Sequence, residues 1–198
     1  MPLTKVDWIN AGWVLMANQG VAGVKVEVLA RQLQVSKGSF YWHFKNRKEL
    51  LESILQRWEN ETQWLINESQ KELTPQARLV KLFSLAEELC NQPDPETAIL
   101  IWANQVPAIQ VRVRMVETKR VEYLNQLLQD YGFEQGEARH KAEIGYFAFM
   151  GFWERYERDQ EFDLTMKEFS QFLISLLLSP VDPEIRSEIK ADGSLIDD

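Results

Sequence analysis

Residues Ser36–Phe44 read S-K-G-S-F-Y-W-H-F, and the fold of the chain turns on this stretch. It follows a short helical pattern, Val26–Leu33, after a tight turn. It mixes aromatics with small polar groups and with two side chains able to carry positive charge, Lys37 and His43. A helix this short has little core of its own to bury. One face is expected to pack, and the other to meet something flat, polar and negative, which points to nucleic acid. Helix, tight turn and second helix is the helix-turn-helix arrangement, in which the second helix enters the major groove. Leu29, Ala30, Leu33, Val35 and Phe40 then form the buried seam, with Ser36 capping the second helix. Lys37, Gly38, Ser39, Tyr41, Trp42 and His43 are left to face outward.

Charge supports this despite the acidic total of −8. Residues 1–50 hold seven Lys or Arg (Lys5, Lys25, Arg31, Lys37, Lys45, Arg47, Lys48) against three acids (Asp7, Glu27, Glu49). That is a net of +4, so the remainder carries −12. Phosphate is met locally, so a basic head on an acidic body is compatible with nucleic acid. The 198 residues suit a small head fused to a larger body. Cys90 is the single cysteine, which excludes an intramolecular disulfide and makes a reducing cytoplasm the expected location. No basic region followed by an apolar run opens the chain, so no signal peptide is expected. The most apolar run, Ile144–Trp153, falls well short of the ~18 residues of a membrane span.

Working outward, almost every segment predicts helix. Thr4-x-x-Asp7 is a capping box, followed by a face of Ile9, Trp13, Met16 and Ala17, with Gly20 as the expected stop. Asn46 is placed to cap a fourth helix, with Glu49 reaching back and a stripe of Leu50, Ile54, Trp58 and Leu65. Thr74-Pro75 and Asp94-Pro95 open two more helices. The first of these has an apolar face of Leu79, Leu82, Phe83, Ala86, Leu89 and Cys90, and the second breaks near Pro107. Gln110–Met115 alternates as a strand would, but Ile109, Val113, Val116, Leu124, Leu127 and Tyr131 fit a helical stripe. A turn at Gly132–Gly136 leads into a long helix over Glu137–Arg158. Thr165-x-x-Glu168 is a second capping box, and its helix stops at Ser179-Pro180.

The run L-A-R-Q-L-Q-V-S-K-G-S-F-Y-W-H-F-K-N-R-K-E-L-L, from Leu29 to Leu51, resembles the DNA-binding head of the TetR family of bacterial transcriptional regulators. The likeness covers roughly residues 4–60. It implies an all-α fold: a three-helix helix-turn-helix head and a helical body that binds an effector and dimerises. The expected division is a head over 1–50, a connecting helix beginning at 46–70, a body over 71–180 and an acidic, frayed tail over 181–198. By the resemblance, Lys37 and Tyr41 touch bases, Ser39, Trp42 and His43 meet the backbone, and Arg47 meets a phosphate. Lys25, Ser36, Gly38 and Lys48 complete the expected DNA-binding set. The chemistry agrees: Lys37 is able to donate to guanine O6 and N7, and Ser39 and His43 are short donors to phosphate oxygen. Two positions depart from the family pattern. Val24 and Lys25 stand where a capping Thr or Ser is usual, and Gln34 stands where the turn often has Gly. A positive φ at Gln34 would cost about 1 kcal/mol.

The helix Ala142–Trp153 is apolar almost all round and must be covered on more than one side. Gly145, Ala148 and Gly151 are expected to admit a partner helix, joined by Phe169, Leu173 and Leu176 of the last helix. Two such helices from each of two chains make a two-fold four-helix bundle, so a homodimer reading a pseudo-palindromic double-stranded DNA operator is expected. The resemblance further implies a small-molecule effector pocket between the middle helices, with Trp64, Trp102, Phe147 and Trp153 as the aromatics expected to line it. Glu137-x-x-His140 has the spacing of half a di-iron site, but no second half exists, so no metal, cofactor or catalytic residue is expected. The competing reading is a helical dimer that regulates a partner protein and touches DNA only weakly.

Overall fold

The computed structural model describes residues 3–159 and 163–182. The expected acidic tail lies outside the described residues from position 183 onward. Among the described residues the chain forms nine helices and no strand, an all-α architecture. These are α1 (Lys5–Gly23), α2 (Val26–Gln32), α3 (Lys37–Tyr41), α4 (Arg47–Ser69), α5 (Pro75–Cys90), α6 (Glu96–Ala103), α7 (Pro107–Tyr131), α8 (Gln135–Arg158) and α9 (Met166–Leu178).

Local chemistry accounts for most of the boundaries. The Thr4 hydroxyl accepts from the Asp7 N–H at 3.3 Å, and the Asp7 carboxylate accepts from the Thr4 N–H at 2.7 Å. Thr165 and Glu168 make the same reciprocal pair at 3.2 and 2.9 Å. Each such cap is worth about 1 kcal/mol. Asn46 accepts from the Glu49 N–H at 3.0 Å, but the Glu49 carboxylate turns back to the Lys45 N–H at 2.8 Å, one residue earlier than a capping box requires. Thr74 caps α5 and Pro107 opens α7, so the alternating Gln110–Met115 stretch is helical. At Gly20 the backbone leaves helical geometry (φ 69°, ψ 179°), so α1 kinks there instead of stopping and ends at Gly23.

The head is built on Phe40. Its ring stacks on Phe44 and meets the edge of Trp8, with centroids 5.3 Å apart in both cases. Met16, Leu29, Ala30, Leu50 and Ile54 close around them. Trp8, fully buried, belongs to this core in addition to the expected α1 face. The turn between α2 and α3 passes through Gln34 at φ 56°, the one non-glycine residue with positive φ among those described. Gln34→Gly is therefore expected to raise unfolding free energy by about 0.5–1 kcal/mol, because relief of the left-handed penalty exceeds the entropy glycine adds to the unfolded chain. A urea midpoint moved upward at unchanged slope would show it.

The head core continues through α6 at Ile99 into the first half of α7 at Ile109, Val113 and Val116. A second core joins α5, the rest of α7, α8 and α9 around Phe83, Leu128, Ala142, Phe149 and Leu177. The Trp13 indole N–H donates to the Pro93 carbonyl at 2.8 Å, which ties α1 to the segment before α6. Gly145 is needed inside one chain: a Cβ there would lie 2.8 Å from Leu177, so it sets the close approach of α8 and α9. This corrects its expected place at an interface between chains. Leu173 is likewise buried in the second core, and Ala148 and Phe169 are half-buried against it, with Phe169 stacked on Phe152 at 4.0 Å. Leu176 and Gly151 do face outward.

Candidate nucleic-acid interface and body cavity

Because Phe40 and Phe44 turn inward, Tyr41 and Trp42 turn outward, 61% and 88% exposed. An indole that far into water at a helix end is costly in isolation and is suited to a surface awaiting contact. Lys25, Ser36, Lys37, Gly38 and Lys48 of the head are exposed as well, and Ser39 and His43 are half-buried. Gly38 has open space beyond its Cα apart from the Ser36 hydroxyl, 3.5 Å from a notional Cβ, so a partner can approach the backbone there. Most of the expected DNA-binding residues are thus at least partly exposed on the head, with differences in detail. Ser36 occupies the capping position of α3, but its side chain makes no capping hydrogen bond. Lys25 holds the same place on α2 without a side-chain cap, and Val24 beside it is fully buried. Lys37 is paired with Glu27 at 2.7 Å, both more than half exposed. Such a pair contributes at most about 1 kcal/mol and yields readily to a phosphate or a base edge.

Arg47 requires a correction. Its guanidinium donates to the Val24 carbonyl at 2.5 Å and to the Val21 carbonyl. These oxygens lie at the end of α1, where helix carbonyls lack intrahelical partners. Arg47 therefore fastens α4 to the end of α1 and is not turned toward the outer face.

In the body, α4, α5, α6, α7 and α8 enclose a cavity of about 90 Å³. Leu65, Ile66, Phe83, Leu124, Phe149 and Trp153 give it apolar walls, while Glu61, Asp94, Glu96, Arg120, Tyr123 and Tyr146 supply polar groups. Of the four expected aromatics only Trp153 lines it. Trp64 and Phe147 are exposed on the outer surfaces of their helices, and Trp102 lines a separate open cleft with Gln19, Arg47 and Glu157. Arg120 grips Glu96 through two nitrogens at 2.8 and 2.9 Å and donates from the third to the Thr62 hydroxyl at 3.1 Å. The Trp58 indole N–H donates to the same Glu96 carboxylate at 2.6 Å. Asp94 accepts from the Glu96 N–H at 2.7 Å and so satisfies the first N–H of α6, whose capping position is Pro95.

Burial pushes the Asp94 carboxyl up to about 7, reinforced by Glu96. Burial also pushes Glu61 up to about 7, against the pull of Arg57 at 3.7 Å. Burial opposes the charge on Arg120, but Glu96 outweighs it, and the guanidinium stays firmly protonated. Residues of this polar wall were not expected from the sequence, although both helices that carry it leave a gap where it falls. The α4 stripe jumps from Trp58 to Leu65 across Glu61 and Thr62, and the α7 stripe jumps from Val116 to Leu124 across Arg120.

Residues 9–54 match the family model of bacterial regulatory proteins, tetR family. Over these residues the head is similar to that family. The fold of the whole chain recurs in solved structures. A TetR transcriptional regulator from Legionella pneumophila superposes with a TM-score of 0.74 at 12% identity, covering 89% of this chain and 96% of that one. SmeT, the repressor of the Stenotrophomonas maltophilia multidrug efflux pump SmeDEF, gives 0.65 at 17% identity, covering 89% of each chain. AibR, solved with isovaleryl coenzyme A and operator DNA, gives 0.66 at 17% identity, covering 89% and 99%. At these identities the likeness is one of fold. No curated protein sequence matches the chain.

Proposed function

We propose that this tetR-family chain is a dimeric transcriptional regulator, a repressor released from a pseudo-palindromic operator when a small molecule enters the body cavity. The observation that carries the reading is the outward pair Tyr41 and Trp42 on a head that matches the tetR-family model and also exposes Lys25, Lys37 and Lys48. The operator complex of AibR and the repressor role of SmeT, both on the same fold, support it. The regulator acts without turnover: its head binds, and its body shifts an equilibrium. Among the described residues no helix is long and apolar enough to cross a membrane, and a cytoplasmic place beside DNA follows from the function proposed.

The coupling has a short path. Asp94 and Glu96 line the cavity and begin α6, while Pro93, one residue before Asp94, holds Trp13 of α1. A ligand that displaces these carboxyls moves the anchor of the head. Effector and operator must then weaken each other by the same factor, because linkage is reciprocal.

The test is salt-sensitive, site-specific binding of the purified chain to the DNA upstream of its own gene, and failure to bind there would overturn the reading. Lys37→Ala sharpens it. The variant is expected to lose about 1–3 kcal/mol of discrimination at one base position, measured by competition between operator variants. A chain that regulates a partner protein instead would be indifferent to this change.

A further inference from the structure

The polar wall of the cavity is unbalanced. It holds three carboxyl groups, Glu61, Asp94 and Glu96, against one guanidinium, Arg120. Arg120 and Glu96 form a tight, mutually neutralising pair: each guanidinium nitrogen donates one hydrogen bond, and the Trp58 indole adds one more to Glu96. Arg120 is therefore poorly placed to anchor an anion. Glu61 and Asp94 lie outside that pair. Among the described residues Glu61 is ion-paired with Arg57 at 3.7 Å, and the Asp94 side chain accepts a hydrogen bond from the Glu96 N–H. A further feature is Tyr146, 6% exposed, whose hydroxyl lines the same cavity beside the Arg120 guanidinium and makes no hydrogen bond of ordinary geometry among the described residues. An orphaned buried hydroxyl costs free energy until something supplies its partner. The rest of the wall is aromatic and aliphatic, with Phe83, Phe149 and Trp153 presenting ring surface that attracts cations. The volume, about 90 Å³, is several times the ~10–15 Å³ that one water needs.

We infer that the effector is a small protonated amine with an apolar body, its ammonium group held by Glu61 and Asp94 with the Tyr146 hydroxyl as a further acceptor. This rests on the reading of the cavity as the effector site. An ammonium group satisfies carboxylates that burial otherwise disfavours, and its N–H donors find an acceptor already desolvated. Binding is consequently linked to protons. Glu61 and Asp94, both pushed up to about 7 by burial, must be ionised to hold a cation, so affinity rises with pH through neutrality. The charged groups facing them are Arg57 beside Glu61 on α4, Glu96 on α6 and Arg120 on α7, with Glu117 of α7 and Tyr146 of α8 coupled to the same pair. Arg120 pulls both carboxyls toward ionisation and Arg57 pulls Glu61, but burial outweighs them.

Calorimetry on the full chain with benzylamine, benzyl alcohol and benzoate tests the inference. Benzylamine is expected to bind about tenfold or more tightly than benzyl alcohol, a modest share of what a close charge pair supplies at a protein's effective dielectric, with benzoate weakest. Between about pH 8 and about pH 6 the amine should weaken while the alcohol does not. The double substitution Glu61→Gln and Asp94→Asn should erase the preference yet retain the alcohol, which also reports that the cavity is intact. Equal binding of amine and alcohol, a preference for benzoate, an amine preference that survives the double substitution, or no binding of any probe at millimolar concentration would each overturn it. A gel shift on the same preparation keeps the two readings apart. Amine binding without operator binding sinks the regulator and leaves the ligand class standing, and operator binding without an amine preference does the reverse.

Discussion

Arg120→Met is expected to lower the unfolding free energy by about 3–5 kcal/mol, the usual cost of removing one partner from a buried ion pair. Glu96 is 3% exposed and loses both of its guanidinium bonds in this variant. The carboxylate is then left beside Glu61 and Asp94, two groups whose ionisation burial already disfavours. The Thr62 hydroxyl, 1% exposed as a residue, loses its donor at the same time. Methionine fills much of the vacated volume, so most of the loss is electrostatic and not a cavity effect. Adding Glu96→Gln to Arg120→Met should recover a large part of it, because no unmatched charge remains and the Gln carbonyl still accepts from the Trp58 indole. Urea melts of the single and double variants give the comparison. A single-variant loss under about 1 kcal/mol would mean that water reaches the pair and that the wall is not a dry one.

The head was legible because its signals are local. The Thr4–Asp7 capping box, the Asn46 cap, the Phe40 seam and the positive φ at Gln34 all depend on residues a few positions apart. Arg47 was misjudged for the opposite reason. The carbonyls it holds end a helix more than twenty positions earlier, and only the packing of α1 on α4 brings them together. The body shows the same divide. Periodicity located every long helix, but an all-round apolar helix such as α8 does not announce which side meets its own chain. Gly145 therefore looked like a contact for a second copy, although Leu177 of the same chain occupies the space above it. The cavity was hidden in a different way. Glu61 and Arg120 look like ordinary solvated charges until α4 and α7 are laid side by side, when the gaps in their stripes coincide. A polar residue in a core register is thus a better pointer to a site than an aromatic in one, since an aromatic needs no ligand to explain it.

Phe147→Glu is expected to separate the proposed dimer and, with it, operator binding. Once Gly145 and Leu173 are assigned to the chain's own core, a different surface remains on α8 and α9. Ile144, Phe147, Phe172 and Leu176 are each about two-thirds exposed, at 67, 66, 67 and 68%, and lie at helical spacings on adjacent helices. Lys141 donates to the Ser179 carbonyl at 2.6 Å, which pins the end of α9 to α8 and makes the two helices a single surface. An apolar patch this continuous on a rigid helix pair is suited to a second copy of itself. In a two-fold interface each substitution occurs twice, so Phe147→Glu places two carboxylates in a desolvated contact with no cation opposite. A monomer reads one half-site instead of two, and loss of that linkage should cost operator affinity about 10²-fold or more. Light scattering on the eluting protein should give the monomer mass, and a gel shift the weakened binding. Trp64→Glu is the control: Trp64 is also an exposed aromatic, 44% accessible, but it belongs to α4 and not to α8 or α9. If Trp64→Glu dissociates the protein and Phe147→Glu does not, the two copies meet elsewhere and the α8–α9 face must have another partner.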